Sequence, residues 1–312
     1  MKVAICIVAF RNIEDIRSCL DAIAGLTHAD YQVVICENGG DAACEAMRAA
    51  IPAQLPGGQD VMLIAADNPG YAGGVNRCLD ASPDADAWWV LNPDTRPDPG
   101  ALAALLARLA QGDVQAAGAT LYLPDGRVQA YGGRWQPELA RSESIGWGRT
   151  LADPIDAAAV ERKMTYIHGA SMLVSRAFLA TAGPMREDYF LYCEEIEWFE
   201  RARALGLRLG FAPDAKVLHL QGTTTGAAAG VTARSRLSVF LDERNKINVI
   251  RDTKPALLWC GAPAALLIAV RRFALRRAWR QFGYALSGWA AGLRDERDKP
   301  RWMTPQRRKS EN

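Results

Sequence analysis

Short apolar runs alternate with amphipathic stretches through the first 120 residues of the chain. The apolar runs, each predicted to form a strand, lie at residues 3–10, 31–36, 61–65, 88–91 and 114–120. In residues 13–26, Ile16, Leu20 and Ile23 fall on one stripe with a helical period. Helices are also predicted at residues 71–81 and 99–110, and Asp41 is placed to cap another. Such alternation is typical of a parallel sheet that is covered by helices and wound with right-handed crossovers.

After residue 120 the pattern changes. Residues 121–128 predict a hairpin with its turn at Pro124-Asp125-Gly126, whereas residues 132–163 have no clear period and predict a loop. The later predicted elements are strands at 166–175, 207–211 and 216–220, and helices at 194–205 and 232–251. Gly206 is placed to end the first of these helices. The regular alternation of strand and helix therefore stops at this point of the chain.

The fourth apolar run, Trp88-Trp89-Val90-Leu91, leads directly into Asn92-Pro93-Asp94. A near-continuous apolar run is typical of a central parallel strand, and Pro93 marks its end because proline cannot donate to a sheet ladder. Asp94 therefore lies just past a carboxyl end, where open α/β sheets bind their ligands. A carboxylate there suits a hard divalent cation that is shared with a diphosphate. The alternative, from these residues alone, is a turn that only ends the strand.

Polar and glycine-rich segments follow each of the first four predicted strands. They are residues 9–12, 37–41, 67–76 and 92–94. At one edge of the sheet they would supply the aromatic ring of Phe10 and the carboxylate of Glu37, which can accept from a nucleobase or a ribose. Their glycines would allow a ligand to approach the backbone closely. These groups suit a nucleoside diphosphate, although each glycine alone is equally consistent with a tight turn. The chain contains no Gly-x-Gly-x-x-Gly fingerprint and no Walker lysine, which argues against dinucleotide redox chemistry and ATP hydrolysis.

Composition narrows the class of protein. A chain of 312 residues is long enough for one main domain with an appendage. Its formal net charge of +2 gives no overall field that would attract nucleic acid. The seven cysteines include no Cys-x-x-Cys pair and several lie inside apolar runs. We therefore expect a reducing compartment and no disulfide framework.

The C-terminal part of the chain is both apolar and basic. Residues 255–270 are sixteen uncharged, mostly apolar residues, which is short of the roughly twenty that span a bilayer. Pro263 interrupts them, and arginines interleaved with aromatic residues follow at 271–284. This composition suits a helix that lies in the headgroup plane of an anionic membrane. The alternative is packing on the main domain or on a second subunit in a homodimer. Residues 294–312 are predicted to be solvated and disordered.

Taken in order, these segments resemble the motifs of glycosyltransferase family 2, in its rhamnosyltransferase-like branch. The matching segments are residues 8–12, 37–41, 68–76, 91–94, 168–173, 189–198, 212–215, 219–222 and 244–245. The resemblance covers about residues 2–250 and its strength lies in the number of segments that keep the family's order. It implies a GT-A fold, an α/β architecture with a Rossmann-like, mostly parallel sheet and flanking helices. It also implies a nucleotide-sugar donor, a divalent cation (Mn²⁺ or Mg²⁺) and inversion at the anomeric carbon.

The resemblance also implies roles for individual residues. Asp94 stands where the family binds its metal, and His219 matches a histidine that completes the metal shell in some members. Read alone, His219 is equally consistent with a structural histidine. The residues implied to bind the nucleotide-sugar are Phe10, Glu37, Asn68, Gly70, Asn76, Asn92 and Asp94. His168 is interpreted as structural and His28 as a surface residue.

Glu194 and Glu195 stand where the family has Glu-Asp, and the second acid is usually the general base. We therefore expect Glu195 to be the base, kept ionised by the dipole of the helix that it opens. The alternative is an ordinary solvated helix face that is rich in N-terminal acids. The family usually has Asp where Glu37 and Glu195 stand, so each of these carboxylates reaches one methylene further. Phe10 replaces a common tyrosine, which keeps stacking on a nucleobase but removes the hydroxyl.

These residues together predict an inverting glycosyltransferase. The expected donor is a nucleoside-diphosphate sugar, such as rhamnose or another deoxyhexose, and the expected acceptor a saccharide or lipid-linked saccharide in surface polysaccharide synthesis. The expected domains are a catalytic domain at residues 1–250 and a helical basic segment at residues 251–312. We expect a cytoplasmic protein on the inner face of the cytoplasmic membrane. The alternatives are an inactive nucleotide-sugar-binding protein and a nucleotidyltransferase, which the missing N-terminal glycine-rich loop disfavours.

Overall fold

The computed structural model of the chain describes residues 1–220 and 230–303. The strands are β1 (Val3–Ala9), β2 (Tyr31–Glu37), β3 (Val61–Ala65), β4 (Ala87–Leu91), β5 (Thr95–Pro97), β6 (Ala116–Tyr122), β7 (Val128–Ala130), β8 (Gly133–Gln136), β9 (Arg141–Ser144), β10 (Ser171–Ser175) and β11 (Leu209–His219). The α-helices are α1 (Ile13–Ala24), α2 (Asp41–Ala50), α3 (Gly70–Asp80), α4 (Ala101–Ala110), α5 (Ala157–Lys163), α6 (Arg176–Ala182), α7 (Glu194–Ala204), α8 (Arg236–Thr253), α9 (Leu258–Arg272) and α10 (Trp279–Leu293). Gln221 and Gly222, from the predicted motif at residues 219–222, lie outside the described residues, as do residues 304–312.

The central sheet is mixed rather than wholly parallel. Strands β3, β2, β1 and β4 are parallel neighbours in that order. β10 then pairs antiparallel with both β4 and β6, and the sheet continues through β11 to β5. The predicted parallel sheet is thus confirmed for four strands, but the fifth predicted strand, β6, does not neighbour β4. Burial on both faces gives the same apolar pattern in either strand direction, so the pattern could not reveal the inserted β10.

The sheet separates two apolar layers, because successive residues of a strand face opposite sides. Ile5 and Trp89 pack in the layer that contains α1 and α4. Cys6 and Trp88 pack in the layer that contains α3, α6 and α7. All four side chains are buried. Burial of both faces is what the near-continuous apolar runs of the first half predicted.

Residues 132–163 do not form the loop that their composition predicted. They contain β8, β9 and α5, and β8 pairs with β9 in a two-stranded sheet of its own. The backbone of Gly133 packs directly on the ring of Tyr166, and that of Gly132 on the side chain of Met164. Glycine against a large side chain leaves no periodic apolar stripe in the sequence, which is why these elements gave no signal.

Three further details correct the predicted elements. Asp41 is the first residue of α2 rather than its cap. Gly40 occupies the N-cap position, and it has no side chain that could form a capping hydrogen bond. The two strands predicted at 207–211 and 216–220 are one strand, β11, whose register shifts between Ala212 and Lys216. The helix predicted from residue 232 begins at Arg236, with Ser235 as its cap. The predicted hairpin is confirmed by the pairing of β6 with β7.

The C-terminal helices pack on the main body instead of extending from it. The boundary predicted after residue 250 falls inside α8, and α10 lies along that helix. Gly288 and Gly292 of α10 approach the carbonyl oxygens of Phe240 and Arg244 so closely that an added Cβ would lie 2.2 and 2.7 Å from them. The two helices are therefore in backbone contact.

The predicted disorder after residue 294 is wrong for residues 294–303. Arg297 donates to both carboxylate oxygens of Asp252, at 2.8 and 2.9 Å. Arg244 donates to the carbonyl oxygen of Asp298 at 2.8 Å. A polar composition predicted solvation, but these side chains find buried partners on α8.

One described helix is long and apolar enough to cross a membrane by length and composition. It spans Pro255–Arg276, with a mean hydropathy of 1.5 over its most apolar window and 28% of that window buried. Its buried side includes Ala262, Ala265 and Ala269. Its exposed side carries Trp259 and Leu267, which are 79% and 69% exposed.

Candidate active site

A cavity of about 720 Å³ lies at the carboxyl ends of the first four strands. Each strand contributes residues just past its last position, and the cavity is lined by Phe10 after β1, Asn38 after β2, Asn68 after β3 and Asp94 after β4. Residues 168–170 and the segment before α7 close its other sides. The parallel orientation of these strands explains why their ends meet at one edge.

Asp94 and His219 form a buried pair at the floor of this cavity. His219 Nε2 lies 3.3 Å from Asp94 Oδ1, and both side chains are less than 10% exposed. His219 Nδ1 lies 2.8 Å from Gln129 Oε1. An amide oxygen can only accept, so Nδ1 donates this bond and Nε2 is the nitrogen that faces the carboxylate. The strand pairing of β11 with β5 brings the two residues together, because His219 is opposite Thr95.

This arrangement fits a divalent cation. A nitrogen lone pair and a carboxylate oxygen repel each other unless a cation or a proton lies between them. Adjacent ligands at metal–ligand distances near 2.1 Å lie about 3 Å apart, and the observed separation is 3.3 Å. No group of three or more His, Cys, Asp or Glu side chains suited to a metal occurs among the described residues. Two protein ligands suffice for a cation whose other positions are filled by water and substrate phosphates.

Tyr71 connects the Asn-Pro-Asp turn to the opposite wall. Its hydroxyl lies 3.1 Å from Asn92 Oδ1 and 3.0 Å from the carbonyl oxygen of Gly169. The amide of Asn92 donates to the carbonyl oxygen of Ala170 at 3.2 Å. Gly169 also packs against the carboxyl group of Glu195, with an added Cβ reaching its Cδ at 3.7 Å. Residues 168–170 therefore lie between the Asp94–His219 pair and Glu195, the predicted base.

The segment before α7 has an unusual backbone. Phe190, Tyr192 and Cys193 all have positive φ angles, of 66°, 72° and 68°. Such conformations cost about 1–3 kcal/mol each for non-glycine residues and persist only where the surroundings fix them. Asn245 of α8 fixes them here: its Nδ2 lies 2.9 Å from the carbonyl oxygens of Tyr189, Leu191 and Tyr192.

This backbone aims Glu194 and Glu195, the first two residues of α7, into the cavity. Burial raises the pKa of Glu195 to about 7, against the lowering effect of its backbone hydrogen bonds. Burial and the neighbouring Glu195 raise the pKa of Glu194 well above its usual range. The predicted effect of the helix dipole is thus overcome by desolvation, which disfavours a charged carboxylate. A pKa of about 7 leaves Glu195 close to half ionised at neutral pH, and the raised pKa of Glu194 favours its neutral form.

The architecture matches solved glycosyltransferases. Staphylococcus aureus TarS (residues 1–349) matches with a TM-score of 0.57 at 11% identity, over 94% of this chain and 81% of that one. GalNAc-T7, crystallised with UDP, GalNAc and Mn²⁺, matches with a TM-score of 0.60 at 12% identity, over 80% of this chain and 48% of that one. The mannosyltransferase PcManGT of Pyrobaculum calidifontis, in complex with GDP-Man and Mn²⁺, matches with a TM-score of 0.55 at 16% identity, over 95% of this chain and 88% of that one. At such identities the likeness concerns the fold, which is GT-A.

A family model described as glycosyltransferase-like family 2 matches residues 2–237. The chain belongs to this family. Among named relatives, the N-acetylglucosaminyl-diphospho-decaprenol L-rhamnosyltransferase of Mycobacterium tuberculosis is 29% identical over 201 residues. The match covers 57% of this glycosyltransferase and 65% of the relative's length.

The cavity of this glycosyltransferase collects most of the residues that the sequence singled out. Those that line it are Phe10, Asn68, Gly70, Asn92, Asp94, Glu194, Glu195 and His219. Glu37 does not line it, because its carboxylate accepts from the backbone amides of Arg11 and Gly39, at 3.0 and 2.7 Å. Asn76 does not line it either, because it bonds Met185 through both ends of its amide. Both side chains bond the polypeptide next to the cavity, and their contact with the donor stays a prediction.

Several cavity residues were not predicted as site residues. His168, interpreted as structural, lines the cavity, and burial lowers its pKa to about 3, so that it is neutral. Its Nδ1 accepts from the amide of Ala170 at 3.3 Å, which leaves Nε2 as the donor. Gln129 comes from the distant β7, and Met303 from the C-terminal segment. Of these three residues, only His168 lies inside a segment that resembles the family, so only its role could have been predicted from the sequence.

Proposed function

We propose that this glycosyltransferase transfers a sugar, with inversion, from a nucleoside diphosphate to a saccharide acceptor. The observation that carries the proposal is that the pair Asp94–His219 and the carboxyl group of Glu195 line one cavity. Phe10 and Asn68, at the ends of β1 and β3, would contact the nucleotide. The solved relatives with UDP-GlcNAc and GDP-Man support a donor of this class.

In the proposed reaction the acceptor hydroxyl oxygen attacks the anomeric carbon of the donor sugar. Its proton passes to Glu195, whose pKa of about 7 suits a general base at neutral pH. The bond from the anomeric carbon to the diphosphate oxygen breaks, and the nucleoside diphosphate leaves with the electron pair. Attack opposite the leaving group inverts the configuration. Asp94 and His219 would hold Mn²⁺ or Mg²⁺, which when bound neutralises charge on the departing diphosphate.

The proposed acceptor is a saccharide linked to a lipid through a diphosphate, and the proposed donor sugar is rhamnose or another deoxyhexose. The named relative supports both, because its name specifies rhamnosyl transfer to a diphospho-decaprenol-linked sugar. Such a transfer belongs to the synthesis of a surface polysaccharide. Because the match spans less than two thirds of the relative, donor sugar and acceptor are parts of the proposal to be tested.

We propose a site of action on the inner face of the cytoplasmic membrane. The exposed side of α9 and the segment after it carry Trp259, Leu267, Leu275 and Trp279, each at least 65% exposed. Exposed arginines at 271, 276, 277 and 280 accompany them. Large apolar side chains next to arginines suit an anionic membrane surface. Since the other side of α9 packs on the protein, the helix is proposed to lie on the membrane and not across it.

The decisive experiment is an assay with purified full-length protein, nucleotide-sugars and Mn²⁺ or Mg²⁺. We expect release of nucleoside diphosphate, and Glu195→Ala should lower kcat by about 10²–10⁴-fold because a general base typically contributes that much. The KM for the donor should stay within a factor of about two, since Glu195 acts on the acceptor. Loss of donor affinity with turnover intact would show that another acid is the base. A wild-type protein that binds donors but releases no diphosphate would be the inactive binding protein instead.

A further inference from the structure

A second cavity, of about 470 Å³, adjoins the catalytic one on the side of the C-terminal helices. We call it the basic pocket, because its charged walls are Arg141 of β9, Arg234, Lys246 of α8, Arg272 of α9 and the single acid Asp242. His168, Tyr192 and Arg234 line both cavities. One molecule can therefore extend from the predicted base into the basic pocket.

The charge of the basic pocket is positive even after its internal ion pairs are counted. Lys246 Nζ lies 2.9 Å from Asp242 Oδ2 and 3.2 Å from Glu243 Oε1. Arg272 shares the same Asp242 oxygen at 3.2 Å. Four basic side chains thus meet two acids, and Asp242 is divided between two of the cations. An anion of charge near −2 would balance this excess.

Arg234 and Arg272 are partly buried and lie near enough to affect each other electrostatically. Burial lowers the pKa of Arg234, and the nearby positive charge of Arg272 lowers it further. Repulsion between two partly desolvated cations is relieved when an anion binds between them. Arginine is suited to this task because its planar group donates two parallel hydrogen bonds to phosphate oxygens.

The position of the basic pocket points to the acceptor side of the reaction. The donor diphosphate is assigned to Asp94 and His219, which line the catalytic cavity but not the basic pocket. Arg272 and Ile268 of α9 line the basic pocket, and the same helix exposes Trp259 and Leu267 on its other side. An acceptor whose sugar lies at Glu195 and whose lipid follows α9 would have to carry its phosphates through this pocket.

We propose that the basic pocket binds the diphosphate that joins the acceptor saccharide to its lipid. This inference rests on the proposed function and adds the residues that select a phosphate-bearing acceptor: Arg141, Arg234 and Arg272. The same chemistry could bind the headgroup of an anionic phospholipid. The three residues that line both this pocket and the catalytic cavity favour the acceptor.

The test uses full-length protein and two acceptors that carry the same sugar. One acceptor is linked to a short prenyl chain through a diphosphate, and the other is a neutral alkyl glycoside. Arg141→Gln and Arg272→Gln should each raise the KM for the diphosphate acceptor by about tenfold, the loss expected for about 1.4 kcal/mol of charge-assisted hydrogen bonding. The KM values for the neutral acceptor and the donor should change less than about twofold. Arg48→Gln, an exposed arginine on α2 with no role in the site or the membrane surface, is the control and should leave all three unchanged.

Two additional measurements keep the outcomes distinct. Arg272 is ion-paired with Asp242, so its replacement can lower the stability of the protein. Arg141 is exposed on β9. If Arg272→Gln unfolds, Arg141→Gln alone tests the proposal. Calorimetric titration of both acceptors with EDTA present measures the pocket without turnover. If the variants lose binding of the diphosphate acceptor alone, the proposed role of the basic pocket is supported. If the wild-type protein also transfers no sugar, only the proposed function is contradicted. Equal binding of both acceptors by wild type and variants overturns the inference. So does a loss that appears only on phosphatidylglycerol vesicles, because the pocket would then hold a lipid headgroup.

Discussion

At the scale of single residues, the two adjacent glutamates at the start of α7 show how burial decides protonation. The first turn of a helix favours negative charge by about 0.3–1 kcal/mol at exposed positions. Taking a carboxylate out of water costs more, so the pKa of Glu195 rises to about 7 and that of Glu194 is also raised. A half-ionised Glu195 can accept a proton at neutral pH.

The pH profile of the enzyme follows from this pKa. The base must be ionised before the acceptor binds, so kcat/KM should fall about tenfold for each pH unit below about 7 and level off above it. The sign follows because lower pH protonates Glu195 and removes the base. Steady-state rates between pH 5 and pH 9 measure the profile. Glu195→Ala serves as the control, because the residual activity of this variant should no longer fall below pH 7. If the fall in kcat/KM below pH 7 is unchanged in the variant, it arises from another group.

Gln129 shows how a residue without any sequence signal can affect the site. Its Oε1 accepts from His219 Nδ1 at 2.8 Å and so fixes which nitrogen faces Asp94. Outer partners of this kind typically change metal affinity or activity by about 10–100-fold. Gln129→Ala should therefore weaken Mn²⁺ binding by about 10–100-fold while kcat at saturating metal changes little.

Titration of the protein with Mn²⁺, followed by electron paramagnetic resonance of the free ion, measures this affinity directly. Gln136→Ala is a suitable control, because Gln136 ends β8 and bonds the exposed Glu143 at 3.4 Å. Mn²⁺ affinity that is the same in Gln129→Ala and wild type would mean that His219 does not bind the ion.

At the scale of elements, α8 acts as the support for the loop that presents the base. Three carbonyl oxygens of residues 189–192 converge on the amide of Asn245. Arg244 adds a bond to the carbonyl oxygen of Tyr189 at 2.9 Å. On the other side, Gly70 contacts the carbonyl group of Phe190, and an added Cβ would lie 2.2 Å from that oxygen. The loop is thus fixed between α3 and α8 in a conformation that it would not adopt by itself.

Replacing Asn245 should separate stability from activity. Asn245→Ala removes the amide that donates to the partly buried carbonyl groups of Leu191 and Tyr192, at a cost of about 1–3 kcal/mol in the free energy of unfolding. A displaced loop moves Glu195, and a shift of 1 Å can lower kcat by about 10²-fold. Urea unfolding and steady-state kinetics provide the two readouts.

Asn248→Ala is the matched control on the same helix. Asn248 is also buried, and its amide donates to the carbonyl oxygen of Glu296 at 3.1 Å, away from the loop. A similar loss of stability without a loss of kcat is expected for this variant. Equal kcat in the two variants would contradict the positioning role of Asn245.

At the scale of the whole molecule, the C-terminal segment packs on α8 and reaches the candidate active site. Arg234, Leu237 and Met303 line the catalytic cavity, and Trp302 packs edge-on against Phe240 of α8 at a ring distance of 4.4 Å. Removing residues after 250 would strip a buried face from α8. Point variants, and not truncation, are therefore the suitable test of membrane binding.

Substitution of the exposed apolar side chains should release the protein from membranes. Each buried Leu or Trp side chain contributes about 1.5–3 kcal/mol on transfer out of water. Trp259→Ser with Leu267→Ser should therefore lower partitioning onto phosphatidylglycerol vesicles at least about tenfold. Flotation measures it, and Met62→Ser with Leu205→Ser, at 44% and 54% exposed positions elsewhere, is the control. Wild-type protein that does not float but sediments as a dimer would show that a second copy covers the helix.

The sequence by itself determined the local elements and the kind of chemistry. The strand positions followed from buried apolar runs, and Asp94 was located because Pro93 ends a central strand. Both signals depend on neighbouring residues, so they can be read from the sequence. Glu195 was found from its order among segments that resemble a family.

Only the tertiary structure decided what lies beside these residues. The insertion of β10 beside β4, the bond from Gln129 to His219 and the return of residues 294–303 onto α8 all join distant parts of the chain. The same holds for Glu37 and Asn76, whose polar groups bond the polypeptide instead of lining the cavity. Burial, which sets the pKa of Glu195, is a property of the packed surroundings. Periodicity records which side of an element is buried, but not which element covers it.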